Sequence, residues 1–328
     1  MSRLRVGVWG LGRHAVDKIV PAVSQSAGLA LHGVCGRRAD RVSAVASAAG
    51  CVGWTDPGAM LADPDVDVVY VATPTGLHAE HGTAVLDAGK HLWCEKPLTC
   101  TPSTTQALLE RSRAARLTVS EGFMHLYHPQ FAQLSGYVRS GRLGRVRSIA
   151  CRFGIPSLDF SSFRSDPALG GSALLDVGCY TISAVHALFP DARPRVAYAS
   201  VTTQAGSVVD TDGQAVLSMG SEAVAQLEWK TNCAYINDLA IWGDAGSLFT
   251  DKIFSKPPAY VPEFRLRDVN GVEVVELGVS GNHFVSMFNA FTAMTARPED
   301  AEAERQRIAW RAGMLDRIRS TAQQQGAL

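Results

Sequence analysis

The chain has no net charge to speak of: its 328 residues carry 31 basic and 31 acidic side chains. It has no long run of lysine and arginine, so nothing in it points to nucleic acid or to an anionic membrane surface. No apolar run approaches the length of a membrane span, and the opening Met1-Ser2-Arg3-Leu4-Arg5 does not fit a signal peptide. Cysteine is present as Cys35, Cys51, Cys94, Cys100, Cys151, Cys179 and Cys233. The number is odd and no Cys-x-x-Cys pair occurs, so the expectation is reduced, mostly buried thiols in a cytoplasmic protein. Repeats, low-complexity tracts and long linkers are also missing. His78 with His81, and His125 with His128, have a spacing that a metal could use on a helix. No third ligand of suitable spacing accompanies either pair, and no metal is expected.

What is present is a largely apolar sequence, 46% hydrophobic, of a length that suggests two domains. Strands are expected over residues 4–10, 29–35 and 66–72, with helices over 13–27 and 40–49. The strands are continuous apolar runs rather than alternating ones, which indicates a parallel sheet covered on both faces. The alternation continues through a helix at 79–88, a strand ending at Lys96, a helix at 101–116 and a strand at 117–120. Thr101-Pro102 fits an N-cap followed by proline in the first helical turn. After about residue 125 the pattern changes. Strand-like segments at 145–153, 195–203, 214–219, 223–230, 239–242, 264–267 and 272–277 are joined mostly by short turns. A helix at 178–188 interrupts them and a helical region at 283–324 follows. The expected fold is α/β: a doubly wound parallel Rossmann sheet over 1–124, then an α+β domain over 125–328. The second domain is built on an open, mostly antiparallel sheet, and its C-terminal helix is free to pack back on the first.

Gly10-Leu11-Gly12-Arg13-His14-Ala15 follows the first strand and opens the first helix. That is the context of a dinucleotide fingerprint. Gly10 permits the tight turn, and Gly12 lets the backbone approach a pyrophosphate at the helix N-terminus. The second strand ends in Cys35-Gly36-Arg37-Arg38, with no acid before Asp40. An acid there would bond a ribose 2′-hydroxyl; two guanidinium groups suit a 2′-phosphate instead, so NADP(H) is expected over NAD(H).

Lys96 closes the run His91-Leu92-Trp93-Cys94-Glu95-Lys96-Pro97. At the carboxyl edge of a parallel sheet it points into the ligand crevice, where a lysine can hold a carbonyl oxygen or donate a proton. Asp176 and Tyr180, four apart, are expected to share a helix face. Arg164, in the segment 153–164 leading to that helix, is a candidate for a substrate phosphate or carboxylate.

These motifs resemble the glucose–fructose oxidoreductase / inositol dehydrogenase / MocA family. The resemblance rests on Gly10 to Ala15, Asp65 to His78, Glu95-Lys96-Pro97, Glu121 to Pro129 and Gly170 to Tyr180, in the family's order. It implies hydride transfer between a nicotinamide and a sugar, polyol or related carbonyl compound. It implies that Thr73, Pro74 and His78 border the cofactor, that Glu95 contacts the nicotinamide ribose, and that Lys96 faces the reacting oxygen. Pro97 often follows a cis peptide in this family. Read from their place in the chain, His125 and His128 are expected to line the crevice or cap the loop entering the second domain. Tyr180 stands where inositol dehydrogenases of the family carry histidine. In that respect the chain is similar to glucose–fructose oxidoreductase, dihydrodiol dehydrogenases and sugar 3-ketoreductases.

The reading that follows is a cytoplasmic NADPH-dependent ketoreductase of a sugar-like substrate, with the Ile155-Pro156 loop and the Asp176 to Tyr180 run most similar to those of nucleotide-sugar 3-ketoreductases. Lys96 would hold the oxygen, Tyr180 supply the proton and Asp176 orient the site. Alternatives are a dehydrogenase of a free sugar, polyol or dihydrodiol, or a non-catalytic NADP(H)-binding sensor or scaffold. A homodimer or homotetramer is expected from the resemblance alone.

Overall fold

The computed structural model describes residues 3–156, 163–220 and 223–326. The chain gathers into two compact units. One is the chain up to Gly122 together with Phe284–Ala312; the other is Phe123–His283 with the residues from Gly313 onward.

The first unit begins with β1 (Leu4–Trp9), a helical stretch ending in α1 (Val20–Gln25), β2 (Leu29–Cys35), α2 (Ala39–Ala49), β3 (Val52–Trp54) and α3 (Pro57–Ala62). It continues with β4 (Val68–Val71), α4 (His78–Asp87), β5 (His91–Cys94), α5 (Pro102–Ala115) and β6 (Val119–Glu121). The strands form one parallel sheet in the order β3-β2-β1-β4-β5-β6. All four residues of β4 are buried, as expected for a central parallel strand. The order reverses between β1 and β4, and ligands of open α/β sheets bind outside the carboxyl ends of strands at such a point. The loops that leave β1 and β4 carry Gly10 and Thr73. The elements β3 and α3 were not anticipated; the strand, which pairs with β2, is short and lacks a periodic apolar signature.

The helix expected over 13–27 is real but not uniform. Ala15–Ile19 form a wide π-helical turn in which the Val20 N–H reaches back to Ala15 O, and α1 follows with Pro21 in its first turn. Proline has no N–H to give, and widening the preceding turn removes the clash an uninterrupted α-helix would suffer. Thr101 caps α5 as expected, accepting from the Thr104 N–H at 3.3 Å.

The second unit holds α6 (Pro129–Arg139), β7 (Val146–Ile155), α7 (Cys179–Leu188), β8 (Arg195–Thr202), β9 (Asp212–Ser218) and β10 (Val224–Thr231). After them come β11 (Ile236–Gly243), β12 (Gly246–Asp251), β13 (Glu263–Asp268) and β14 (Glu273–Leu277). The eight strands order as β14-β13-β12-β11-β7-β10-β9-β8, and only the β7–β10 pair is parallel. One face buries Ile149, Cys151, Leu227, Trp229, Leu239 and Ile241. The chain ends in α8 (His283–Thr295) and α9 (Pro298–Gln325). Phe288 and Phe291 of α8 pack on Trp93 of β5, with ring centroids 5.7 and 5.3 Å apart.

One expectation needs correction. The segment Pro167–Leu188 is long and apolar enough to cross a membrane by length and composition. Most of it is buried within the protein, and Gly178 lies against the Trp229 ring, where a Cβ would come within 2.9 Å. Its apolarity is that of a core helix lying on a sheet. All seven cysteines are free thiols.

Candidate active site

Gly10 has a φ of 108°, and a Cβ on it would lie 2.7 Å from the Ala72 carbonyl group. Only glycine lets the turn after β1 pass this close to the end of β4. A Cβ on Gly12, by contrast, would project into open space. That opening beside the start of a helix is the cradle a pyrophosphate requires, so the glycine loop fits a dinucleotide. His14 stands at the head of the wide turn and Ala15 is buried inside it. Arg41 ties α2 to the loop by donating to Leu11 O.

At the end of β2, Gly36 donates to Trp54 O at 3.1 Å, and a side chain there would press on Leu11. Arg37 and Arg38 are both exposed, as is Arg13. They differ in what they touch. Arg38 is paired with Asp40, whereas Arg37 has no ion-pair partner among the described residues. Arg37 is therefore the guanidinium that can take a 2′-phosphate without first giving up a carboxylate. Arg37→Ala is expected to weaken NADPH by about tenfold or more, on the scale of one lost charge-assisted hydrogen bond, and NADH hardly at all. Titration with both cofactors checks this; equal losses would remove Arg37 from the phosphate site.

Thr73 and Pro74 follow β4. The Thr73 hydroxyl lies 2.9 Å from His81 Nδ1, and the His81 ring stacks on Trp9 at 4.0 Å. His78 is fully buried behind them, its nitrogens near the Thr73 and Pro97 carbonyls.

Glu95 and Lys96 leave the carboxyl end of β5, and the Lys96–Pro97 peptide is cis. Glu95 accepts from the Tyr70 hydroxyl at 2.6 Å and lies 3.1 Å from His14 Nε2. Burial alone would raise this carboxyl. The His14 imidazole, the Tyr70 hydroxyl and the Lys96 ammonium outweigh burial and hold it down at about 2. Glu95 is thus an anion at any working pH, fixed beside the lysine.

The loop behind Lys96 is anchored to a buried ion triad. Leu98 N–H donates to Glu121 Oε1 at 2.7 Å. Glu121 Oε2 accepts from Arg311 Nε at 2.7 Å, and Arg311 also bonds Glu304 at 2.8 Å. All three side chains are almost wholly enclosed. Burial raises the Glu121 carboxyl, with Arg311 opposing it.

In the second unit, Asp176 does not stand on a regular α-helix. It lies in a π-helical turn, Leu174–Gly178, in which the Cys179 N–H reaches back to Leu174 O. The simple four-residue spacing to Tyr180 is thereby changed by the wide turn. Asp176 Oδ2 accepts from Arg164 Nε at 2.6 Å, and the Arg164 guanidinium lies over Phe163 at 4.8 Å. The candidate phosphate-binding arginine is therefore engaged with the candidate orienting carboxylate. Residues 157–162 of the expected pocket segment lie outside the described residues.

Tyr180 opens α7 and is nearly buried among Phe123, His125, Phe153 and Phe254, whose ring centroids lie 5.2–5.7 Å away. Its hydroxyl contacts Met124 Sδ at 3.6 Å. His125 has no exposed surface; its Nε2 lies 3.3 Å from Ser183 Oγ. It packs against the Tyr180 ring, the centroids 5.4 Å apart.

Residues with no role assigned from sequence are Tyr70, Glu121, Met124, Ser183 and Arg311. Tyr70 was legible in principle, as the one hydroxyl in a strand otherwise made of valine. Glu121 was visible as an acid closing an apolar strand. Arg311 gave no local signal, because its partners are far away in sequence.

Residues 4–123 match the pattern described as "Oxidoreductase family, NAD-binding Rossmann fold", and residues 131–249 match the GFO/IDH/MocA C-terminal domain. The chain belongs to the GFO/IDH/MocA oxidoreductase family. Among family members it is 32% identical over 276 residues, 84% of each chain, to a dTDP-3,4-didehydro-2,6-dideoxy-alpha-D-glucose 3-reductase from Streptomyces antibioticus. It is 37% identical over 224 residues, 68% of each chain, to an NADP(+) D-xylose 1-dehydrogenase from Haloferax volcanii. A crystal structure of a 3-ketoreductase from Actinomadura kijaniata with NADP and TDP-benzene superposes with a TM-score of 0.93 at 29% identity, covering 98% of both chains. A lysine variant and a tyrosine variant of that enzyme have also been crystallised. Those two positions are separated along its chain as Lys96 and Tyr180 are along this family member.

Proposed function

We propose that the protein is an NADP(H)-dependent ketoreductase of a nucleotide-linked sugar. The observation that carries this reading is Lys96, held at the carboxyl end of β5 between a partly buried anion and a tethered loop, in the unit that bears the glycine cradle. The first unit takes the cofactor and the second the substrate. Gly10, Gly12 and Ala15 shape the pyrophosphate site, with Arg13 and His14 at its rim. Gly36, Arg37 and Arg38 border the adenosine ribose, and Thr73, Pro74, Glu95 and Pro97 the nicotinamide end. The chemistry that NADPH supplies there is hydride donation to a ketone carbon.

Lys96 holds the ketone oxygen and stabilises the charge that grows on it. Tyr180 gives that oxygen its proton. The phenol is an acid in an aromatic nest, so its anion needs a cation to be formed, which is the second task of Lys96. Asp176, held by Arg164, orients the substrate. The dTDP-sugar 3-reductases support this substrate class. The xylose dehydrogenase supports a free sugar as the second reading.

The test is a thermal shift of NADPH-saturated protein with and without thymidine diphosphate; saturation keeps the nucleotide out of the cofactor site. A ligand at a hundred times its Kd adds about 2.7 kcal/mol. A clear further shift is expected. Its absence would send the reading to free sugars, polyols and diols.

The open face of the large sheet displays Trp242 on β11, 68% exposed, and, beyond β12, Arg265 on β13 paired with Val275 on β14. An apolar face of this kind on a sheet is suited to a second copy of the chain, giving a homodimer or homotetramer. A monomeric mass in solution would remove that assignment. The reading puts the enzyme in the cytoplasm, where its thiols stay reduced.

A further inference from the structure

His78 stands between two loops of the first unit. Its Nδ1 lies 3.0 Å from Pro97 O and its Nε2 2.8 Å from Thr73 O. Pro97 follows Lys96 directly, and Thr73 leads off from β4 at the switch point of the sheet. Both oxygens only accept hydrogen bonds. The ring therefore donates to one of them when neutral and to both when protonated. Burial pulls the imidazole down from its ordinary value; the Thr73 and Pro97 carbonyls and the Glu95 carboxylate push the other way. The nearby His81 imidazole is itself held down, chiefly by burial and in part by His78. The side chain is almost completely enclosed, so water cannot substitute for it at either carbonyl.

We propose that His78 is a positioning residue rather than a cofactor contact. One nitrogen sets the lysine loop through Pro97, and the other sets the cofactor loop through Thr73. The inference deepens the ketoreductase reading and rests on it only for what the two loops are for. Both contacts are made together by the doubly protonated ring, the form that the two carbonyls and the Glu95 carboxylate favour against burial. Glu121 and Arg311 hold the far side of the same lysine loop through Leu98, so His78 completes a two-sided clamp.

The two ring positions can be replaced one at a time. An asparagine amide falls near the place of Nδ1, and a glutamine amide near the place of Nε2. His78→Asn should keep the Pro97 contact and lose the Thr73 contact; His78→Gln should do the reverse. Amide hydrogen exchange on peptides spanning 73–77 and 96–99 reads both loops without any substrate. In His78→Asn, exchange should rise about tenfold at 73–77 and little at 96–99, the scale of one lost buried hydrogen bond. In His78→Gln the increase should fall on 96–99. NADPH affinity should drop more in His78→Asn, and kcat more in His78→Gln.

A crossed pattern supports separable roles. Equal loosening of both loops by both variants, or of neither, overturns the proposal. If a variant does not fold, the unmutated protein still decides: a histidine ring N–H of His78 must exchange slowly with solvent, and fast exchange overturns the clamp. If the protein reduces no carbonyl compound, the ketoreductase reading fails while the exchange pattern continues to judge the clamp.

Discussion

Lys96→Ala should lower turnover by about 10²–10⁴-fold, the range for losing a charge-stabilising or proton-transferring group, and leave NADPH binding nearly intact. The backbone around this lysine is held by groups other than its own side chain. The four residues of β5 pair with β4 and β6, the Leu98 N–H is bonded to Glu121, and the Pro97 carbonyl lies against His78. Removing the ammonium should therefore take away the chemistry and spare the scaffold. Tyr180→Phe, measured beside it, should also lower turnover. The hydroxyl it deletes contacts the Met124 thioether, and phenylalanine keeps the ring contacts with Phe123, Phe153 and Phe254, so the variant should still fold. Steady-state kinetics with a keto-sugar nucleotide, and NADPH titration by fluorescence, separate the two effects. Full activity in either variant would refute the role given to that residue.

The largest loss of stability should come from Arg311→Met. The Arg311 guanidinium lies between Glu121 and Glu304, with every member of the triad nearly closed to solvent. Methionine fills much of the volume but leaves two buried carboxylates without their cation. Breaking a buried pair in this way costs about 3–5 kcal/mol, more than the desolvation that the intact triad had already met. The sign with pH follows from the carboxyls. Deprived of Arg311, the Glu121 carboxyl that burial already raises sits further above its unfolded value, so stability is lost as pH rises through the carboxylate range. The deficit should shrink as pH falls and the groups take up protons. Chemical denaturation of variant and parent at several pH values checks both size and sign. A deficit that is small, or independent of pH, would mean the triad is solvated in a way its burial denies. Because Glu121 also holds the Leu98 amide, the same variant should weaken turnover before it unfolds the chain.

Much of this protein was legible in its sequence because the signals are local. Unbroken apolar runs such as Val68–Val71 can only be strands buried on both faces, and their alternation with helices dictates a parallel sheet. The Gly10 turn was legible because one φ value and one close approach to Ala72 admit no other residue. The Thr101 cap and the placement of Lys96 after an apolar strand were legible for the same reason. Other elements left weaker traces. Gly246–Asp251 and Val52–Trp54 are strands because neighbours supply their hydrogen bonds, and propensity over so few residues does not decide.

What only the tertiary structure decided is how polar groups are paired across long stretches of chain. Arg38 meets Asp40, leaving Arg37 as the candidate for the 2′-phosphate, although the two arginines are equivalent as letters. Arg164 meets Asp176, and the wide turn at Leu174–Gly178 breaks the helical phase that spacing alone would assign. Tyr70 finds Glu95, and Arg311 finds Glu121 from 190 residues away. A residue's type states which bonds it can make. Burial decides which it must make, since an enclosed charge or carbonyl without a partner costs more than the local sequence can offset. The identity of the chemistry was therefore written in the chain, while its positioning was decided by which groups folding brought together away from water.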